Sequence, residues 1–333
     1  MSLDAKTKAE AIASLTKALR AAYVFPDVGD AVAKMLEERN ARGEYNSITS
    51  AKAFSDLLTK QMSESAHDKH LGLVYSSGAL PPLPVSKSGE PPPSPSPGRT
   101  LRQARANNYG FETVERLSGN VGYLKFNAFV DEEGGGAVAA GAMAFLANTD
   151  ALIIDLRENH GGGPSMFALL ASYFFTGPVH LSDLAWRIAG TTDYNVTQTW
   201  TLPYVPGQRY IDKEVYILTS QRTFSVAEAF TDTLQSLKRA TVVGEPTGGG
   251  ANGGGPYRIG DHFFVAMPMG RLVNPLTKTN WEGKGIAPDT NVPEKDALST
   301  AQRLALQHLV DKTTDQRALA TLKQALATLD TSR

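Results

Sequence analysis

The sequence predicts an α/β fold preceded by a small helical domain, and three observations point there. From Asp4 to about Ser65 apolar residues recur at helical spacing. Beyond Val121 short apolar strand segments alternate with helical ones. Between the two lies Pro81 to Gly98, a stretch with eight prolines that suits neither a helix interior nor a sheet. At 333 residues the chain exceeds the usual size of one domain, so two are expected. We divide it into a helical bundle over 1–75, a proline-rich loop or linker over 76–100, and an α/β core over 101–333 that ends in helices.

Three helices fit the first segment. Their apolar faces are Ile12, Leu15, Ala18 and Leu19, then Val28, Val32, Met35 and Leu36, then Phe54, Leu57 and Leu58. Breaks fall near Pro26 and around Gly43 to Asn46, and Ser50 is a suitable N-cap for the third. In the core, strands are expected at 121–126, 151–155, 214–219 and 241–244, with helices at 134–147, 165–175 and 226–237. Strand-then-helix units of this length argue for a largely parallel sheet, in which chemistry collects where strand ends meet helix starts. Phe263–Met269 and Arg271–Asn274, meeting at Gly270, suggest a hairpin, and 296–329 returns to helical periodicity suited to packing.

Composition excludes several classes. Lysine plus arginine (33) nearly balances aspartate plus glutamate (34), so no global field favours nucleic acid or an anionic membrane. The absence of cysteine removes disulfides, thiolate metal sites and cysteine nucleophiles together. No apolar run approaches the roughly 20 residues that span a bilayer, so no integral membrane segment is expected in this chain. The N-terminus shows no secretory signal, so the expectation is a periplasmic or secreted protein if a signal has been removed, and a cytoplasmic one otherwise.

Several segments carry candidate chemistry. In Thr223-Phe-Ser225-Val226-Ala-Glu228 a serine stands at a strand-to-helix turn, where unpaired backbone NH groups and the helix dipole stabilise negative charge. The same pattern also reads as a capping box that only starts the helix, and both readings can hold together. In Asp155-Leu-Arg-Glu-Asn-His-Gly161-Gly162-Gly163, glycines after a buried strand let backbone NH groups approach a ligand or form half of an oxyanion hole. A phosphate loop would need a Gly-Lys-Ser/Thr ending and a dinucleotide loop would need spaced glycines; neither is present. A serine hydroxyl needs a base, which any of His67, His70, His160, His180, His262 and His308, or a lysine, could supply; His70, in Asp68-Lys-His70, lies where the bundle gives way to strand. Glu282, beside Trp281 and among glycines, is placed to support an imidazole. Gly248, Gly249 and Gly250 are candidate cleft lining, and no histidine and carboxylate spacing argues for a metal.

Taken jointly these segments, together with Gly244-Glu-Pro-Thr-Gly-Gly-Gly250 and Asn280-Trp-Glu-Gly-Lys-Gly-Ile-Ala-Pro-Asp289, resemble the tail-specific, C-terminal-processing serine peptidases. The resemblance is closer to the branch of interphotoreceptor retinoid-binding protein and the tricorn core protease. It implies a crotonase-like core of repeated strand-strand-helix units and an N-terminal helical bundle. No PDZ domain is expected, because the proline-rich stretch is too short for one. It also implies a serine peptidase acting on peptide or unfolded protein at a cleft between bundle and core, without a cofactor. Ser225 would be the nucleophile, His70 the base and Glu282 its support. Val226 with Gly161 or Gly162 would form the oxyanion hole, and Gly248, Gly249, Gly250 and Trp281 would bind substrate. Two departures stand out: Gly250 occupies the place of the dyad lysine of other members, and Lys69 that of a serine linking histidine and glutamate in the tricorn arrangement. A rival from another class is a module that binds retinoid, fatty-acyl or another apolar small molecule, with hydrolysis weak or lost. Acyl-CoA chemistry of the crotonase kind ranks last, because nothing marks an adenine or pyrophosphate site.

Overall fold

The computed structural model describes residues 3–80 and 97–331, so residues 81–96 of the expected linker lie outside the described residues. In chain order the helices are α1 (Ala5–Ala22), α2 (Pro26–Ala41), α3 (Ala51–Ala66), α4 (Pro97–Ala106), α5 (Glu132–Leu146), α6 (Pro164–Ser172), α7 (Val226–Ser236), α8 (Ala297–Lys312) and α9 (Gln316–Thr331). The strands are β1 (Gly72–Tyr75), β2 (Phe111–Leu117), β3 (Val121–Phe126), β4 (Ala151–Asp155), β5 (His180–Arg187), β6 (Tyr194–Trp200), β7 (Glu214–Thr219), β8 (Thr241–Gly244), β9 (Asn252–Arg258), β10 (Phe263–Val273) and β11 (Thr290–Asn291). The chain divides into two compact units. One gathers Met1–Ser96, Asp183–Thr197 and Gly250–Val273; the other gathers Pro97–Ser182, Gln198–Gly249 and Asn274–Arg333. This grouping follows strand pairing rather than chain order.

In the first unit, Asp4 starts α1 by accepting the Thr7 NH at 2.7 Å. Pro26 opens α2 at a position where its missing NH costs nothing. Ser50 caps α3 through the Ala53 NH. The helices bury Ile12, Leu15, Leu19, Val32, Leu36, Phe54 and Leu58 in one core that also takes Val265 and Met267 of β10. The buried Lys8 ammonium donates to the carbonyls of Tyr45, Asn46 and Ile48 at 2.9–3.0 Å, so its charge is solvated by backbone. The strands form a sheet in the order β1-β10-β5-β6, with β9 also on β10, and every pair made by β10 is antiparallel.

The hairpin expected at Gly270 is absent. Strand β10 runs through that residue, and the turn lies instead between β9 and β10. Gly270 marks a register shift after Pro268, and a Cβ there would lie 2.7 Å from the Trp186 ring. An isolated glycine in a strand signals close approach or a bulge as readily as a turn, and here the indole decides it.

The second unit holds a six-stranded sheet in the order β11-β8-β7-β4-β3-β2. Only the β2–β3 pair is antiparallel. One face of the sheet, with Val121, Tyr123, Ile153, Leu218 and Val243, packs on Ala297, Ala301, Ala305 and Leu306 of α8. Aromatic contacts link Phe126 to Phe129, Phe129 to Phe230 and Phe230 to Phe167, joining β3 to α6 and α7. Strands β4 and β7 are parallel neighbours in register Asp155 to Leu218, so the loops leaving their C-terminal ends emerge side by side. Among the described residues, no helix is long and apolar enough to cross a membrane.

Candidate active site

The loop leaving β7 carries Ser225 into α7, and the loop leaving β4 carries Gly161–Gly163 into α6. Several bonds tie the two loops. The Thr223 hydroxyl donates to the Leu156 carbonyl (2.8 Å), the Ser220 hydroxyl to the Arg157 carbonyl (2.6 Å) and the Phe224 NH to the Asn159 carbonyl (3.0 Å). Gly161 (φ 91°) packs directly on the serine turn: a Cβ there would sit 2.8 Å from the Phe224 carbonyl oxygen, the Ser225 Cβ and the Val226 nitrogen.

Ser225 precedes the first helical residue with φ 56° and ψ −123°, outside the ordinary range of a residue with a side chain. Such a turn costs on the order of 1–3 kcal/mol and persists only when its surroundings over-determine it. Glu228, fully buried, supplies that restraint. Its Oε2 accepts the Ser225 NH (2.8 Å), while Oε1 accepts the Thr247 hydroxyl (2.5 Å) and the Gly249 NH (2.7 Å). The arm of the capping box from Glu228 to Ser225 is therefore formed, and the same carboxylate reaches a second loop.

The glycine loop is selective in what it leaves available. The Gly161 NH donates to the Asn159 side chain (2.9 Å) and the Gly163 NH to the Phe129 carbonyl (2.6 Å). The Asn159 amide is held in turn by the Phe126 carbonyl at 2.8 Å. The Gly162 NH has no acceptor among the described residues, and the parallel bridge between Phe129 and Gly162 turns it away from Phe129. Of the two glycines expected as oxyanion donors, Gly161 is thus committed internally. The Val226 NH is one of the first, unpaired donors of α7. At the end of β4, burial alone would raise the Asp155 carboxyl. Hydrogen bonds from Arg157 and Tyr123 overcome this and hold it below the usual range.

The loop with Glu282 is braced from the same unit. Gly248 donates to the Thr223 carbonyl (2.9 Å), Gly283 to the Gly249 carbonyl (2.9 Å) and the Ile286 NH to the Thr247 hydroxyl (2.7 Å). The NH groups of Gly248 and Gly249 are thus spent on holding loops together, and neither remains to pair with a substrate backbone. Trp281 is 5% exposed, so its indole is mostly packed rather than presented. The Glu282 NH donates to the Asn280 side chain (3.3 Å).

His70 and Gly250 belong to the first unit. The His70 NH donates to Asp68 Oδ1 (2.9 Å), and its Nδ1 stands 3.8 Å from the same oxygen. Asp68, 2% exposed, is fixed by the Tyr23 hydroxyl (2.8 Å) and the Asn252 amide (3.3 Å). Burial lowers the His70 pKa below its ordinary value, and the Asp68 charge opposes that shift in part. Asp68 and Asn159 lie inside the motifs, but the sequence by itself assigns neither a task. Nothing in the spacing shows that one faces an imidazole and the other consumes a glycine NH.

Comparisons with known proteins identify the family and the fold. Residues 3–107 match the N-terminal domain of peptidase family S41 in eukaryotic IRBP. A carboxyl-terminal-processing protease of Picosynechococcus sp. is 24% identical over 234 residues, which is 68% of this chain and 53% of that protein. The chain therefore spans about half the length of this curated relative. A solved chain from Parabacteroides merdae superposes with TM-score 0.58 at 19% identity, covering 86% of this chain and 89% of that one. The photosystem II D1 C-terminal processing protease gives 0.52 at 14% identity, covering 86% and 93%. At such identities the superpositions speak for the fold, an α/β architecture with mixed sheets and helices. Residues 120–292, from the start of β3 to the end of β11, match peptidase family S41, and the chain belongs to that family.

Proposed function

We propose that this protein is a serine peptidase that hydrolyses peptide bonds through an acyl-enzyme on Ser225. The observation that carries the reading is the strained Ser225 turn at the start of α7, packed against a glycine loop whose Gly162 NH has no acceptor among the described residues. His70 accepts the Ser225 proton as Oγ bonds to the substrate carbonyl carbon. The Val226 and Gly162 NH groups hold the resulting oxyanion, each donor contributing on the order of 10² to 10³ in turnover. Collapse breaks the C–N bond, and His70 returns the proton to the leaving amine. Water, deprotonated by the same imidazole, then releases the acid and regenerates Ser225. Glu282 supports the imidazole, and Asp68 aligns it from its own loop.

The substrate is a peptide or unfolded protein segment, for which Gly250 and Trp281 are the remaining candidate contacts. The crotonase-like description of the core, the absence of a PDZ domain and the division at residues 75 and 100 belong to this same proposal. Four of the parallel strands, β3, β4, β7 and β8, three of them followed by helices, support the first of these.

A module that binds an apolar ligand is the rival reading. One experiment separates them. Peptide-library digestion by wild type and Ser225→Ala, read by mass spectrometry, is paired with labelling by a serine-directed phosphonate. Cleavage and labelling that both vanish in folded Ser225→Ala support the peptidase. Cleavage surviving in that variant refutes the assignment of Ser225, and saturable lipid binding without labelling favours the binding module.

A further inference from the structure

The helix that begins at Ser225 carries polar side chains at Glu228, Asp232 and Gln235, the i, i+4, i+7 spacing that lines one face. All three reach loops on the same side of the unit. Glu228 holds Thr247 and Gly249. Asp232 Oδ2 accepts the Asn274 side-chain amide at 2.5 Å, and the Gln235 amide donates to the Ala287 carbonyl at 3.0 Å. The segment 274–289 bears Trp281 and Glu282. It is therefore attached to α7 near both of its ends, with the Thr247–Gly249 loop bracing its middle.

Asn274 is the first of these attachments and uses its whole amide. Its Nδ2 donates to Asp232 and to the Ser236 hydroxyl (3.1 Å), while its Oδ1 accepts the NH groups of Leu276 (2.8 Å) and Thr277 (3.2 Å). Its backbone closes the same turn, the NH donating to the Thr279 carbonyl and the carbonyl accepting the Lys278 NH, both at 2.9 Å. The residue is 4% exposed. An aspartate here would keep the turn acceptors and lose both donors. Burial raises the Asp232 carboxyl above its ordinary range, and the Asn274 bond opposes that shift, as expected of an acceptor kept for its partner.

We propose that Asp232 is a positioning residue for the peptidase reaction: through Asn274 it sets the segment 274–289, and with it the Glu282 carboxylate, in fixed relation to the Ser225 turn. The inference rests on the reading of Ser225 and Glu282 as catalytic. Asp232 touches no reacting atom. Its effect is geometric, and displacements of about 1 Å at a site remote from the chemistry cost up to roughly a hundredfold in rate.

The test measures kcat and KM for a cleaved peptide in two backgrounds, native and Glu282→Gln, with denaturation midpoints recorded for every variant. Asp232→Ala is expected to lower kcat roughly ten- to a hundredfold with little change in KM. Asp232→Asn, which still turns an amide oxygen toward Asn274, recovers most of that loss. Asn274→Asp sets two carboxylates against each other and falls as far, and the exchanged pair Asp232→Asn with Asn274→Asp restores activity because donor and acceptor have only traded places. In the Glu282→Gln background Asp232→Ala costs nothing further. A folded Asp232→Ala protein with wild-type kcat overturns the inference, and so does a loss that multiplies undiminished with that of Glu282→Gln. If the alanine variant fails to fold, the exchanged pair decides the matter, since failure to regain kcat in a folded double variant is equally fatal. Failure of the underlying reading looks different: the wild type itself neither cleaves peptide nor labels at Ser225.

Discussion

Replacing Glu228 by glutamine removes one acceptor oxygen and adds an amide that can only donate. The carboxylate receives donors on both oxygens, from Ser225 on one side and from Thr247 and Gly249 on the other. The less costly orientation turns the new NH₂ toward Ser225, because the opposite one would confront two donors. A buried backbone NH is then left facing a donor, at a cost of about 1–3 kcal/mol. The same bond restrains a residue whose φ of 56° carries strain on the order of 1–3 kcal/mol, so its loss lets the turn relax and moves Oγ. Stability is expected to fall by about 2 kcal/mol in urea titration at neutral pH. Phosphonate labelling of Ser225 should slow roughly ten- to a hundredfold, because reaction geometry is less tolerant than folding. Equal stability and equal labelling rate in Glu228→Gln would refute the restraint. A stability loss with labelling untouched would show that the carboxylate holds loops and not the serine.

Three further outcomes are expected. Gly161→Ala forces a Cβ to within 2.8 Å of the Phe224 oxygen and the Val226 nitrogen at φ 91°, so cleavage should fall at least a hundredfold while circular dichroism stays native. Wild-type turnover in that variant would refute the close packing of the two loops. The acidic limb of kcat/KM should have its midpoint below the ordinary imidazole value of 6.5, because burial disfavours the charged form of His70 and only neutral imidazole can accept the serine proton. By linkage, a depressed histidine pKa contributes stability above the unfolded value that is lost as pH falls through the folded one. Asp68→Asn removes the charge that opposes the shift and should move the limb to still lower pH; a move to higher pH refutes the assignment.

Much of the candidate site was legible because its signals are local. Ser225 with Glu228 three residues on is a pattern that one helical turn imposes. A run of glycines after the apolar strand at 151–155 marks close backbone approach whatever surrounds it. Alternating strand and helix segments likewise announced the parallel sheet, since side-chain periodicity belongs to the element itself. Strands β5 and β6 carry no comparable local signal, and the segment around Gly270 suggests a hairpin that does not form, because pairing partners distant in sequence decide those conformations.

What only the tertiary structure decided are the questions of which donor meets which acceptor. Gly161 and Gly162 are identical letters, yet Asn159 consumes the NH of one, and a parallel bridge to Phe129 turns the NH of the other aside. Glu228 could have been only a helix cap, but strands that place Thr247 and Gly249 beside it make it the tie between two loops. The tight turn at Asn274 rests on a carboxylate 42 residues earlier in the chain. A sequence determines the valences each residue offers and the period on which it repeats. Hydrogen bonds are directional and short, so their pairing is settled only when packing brings distant segments within about 3 Å.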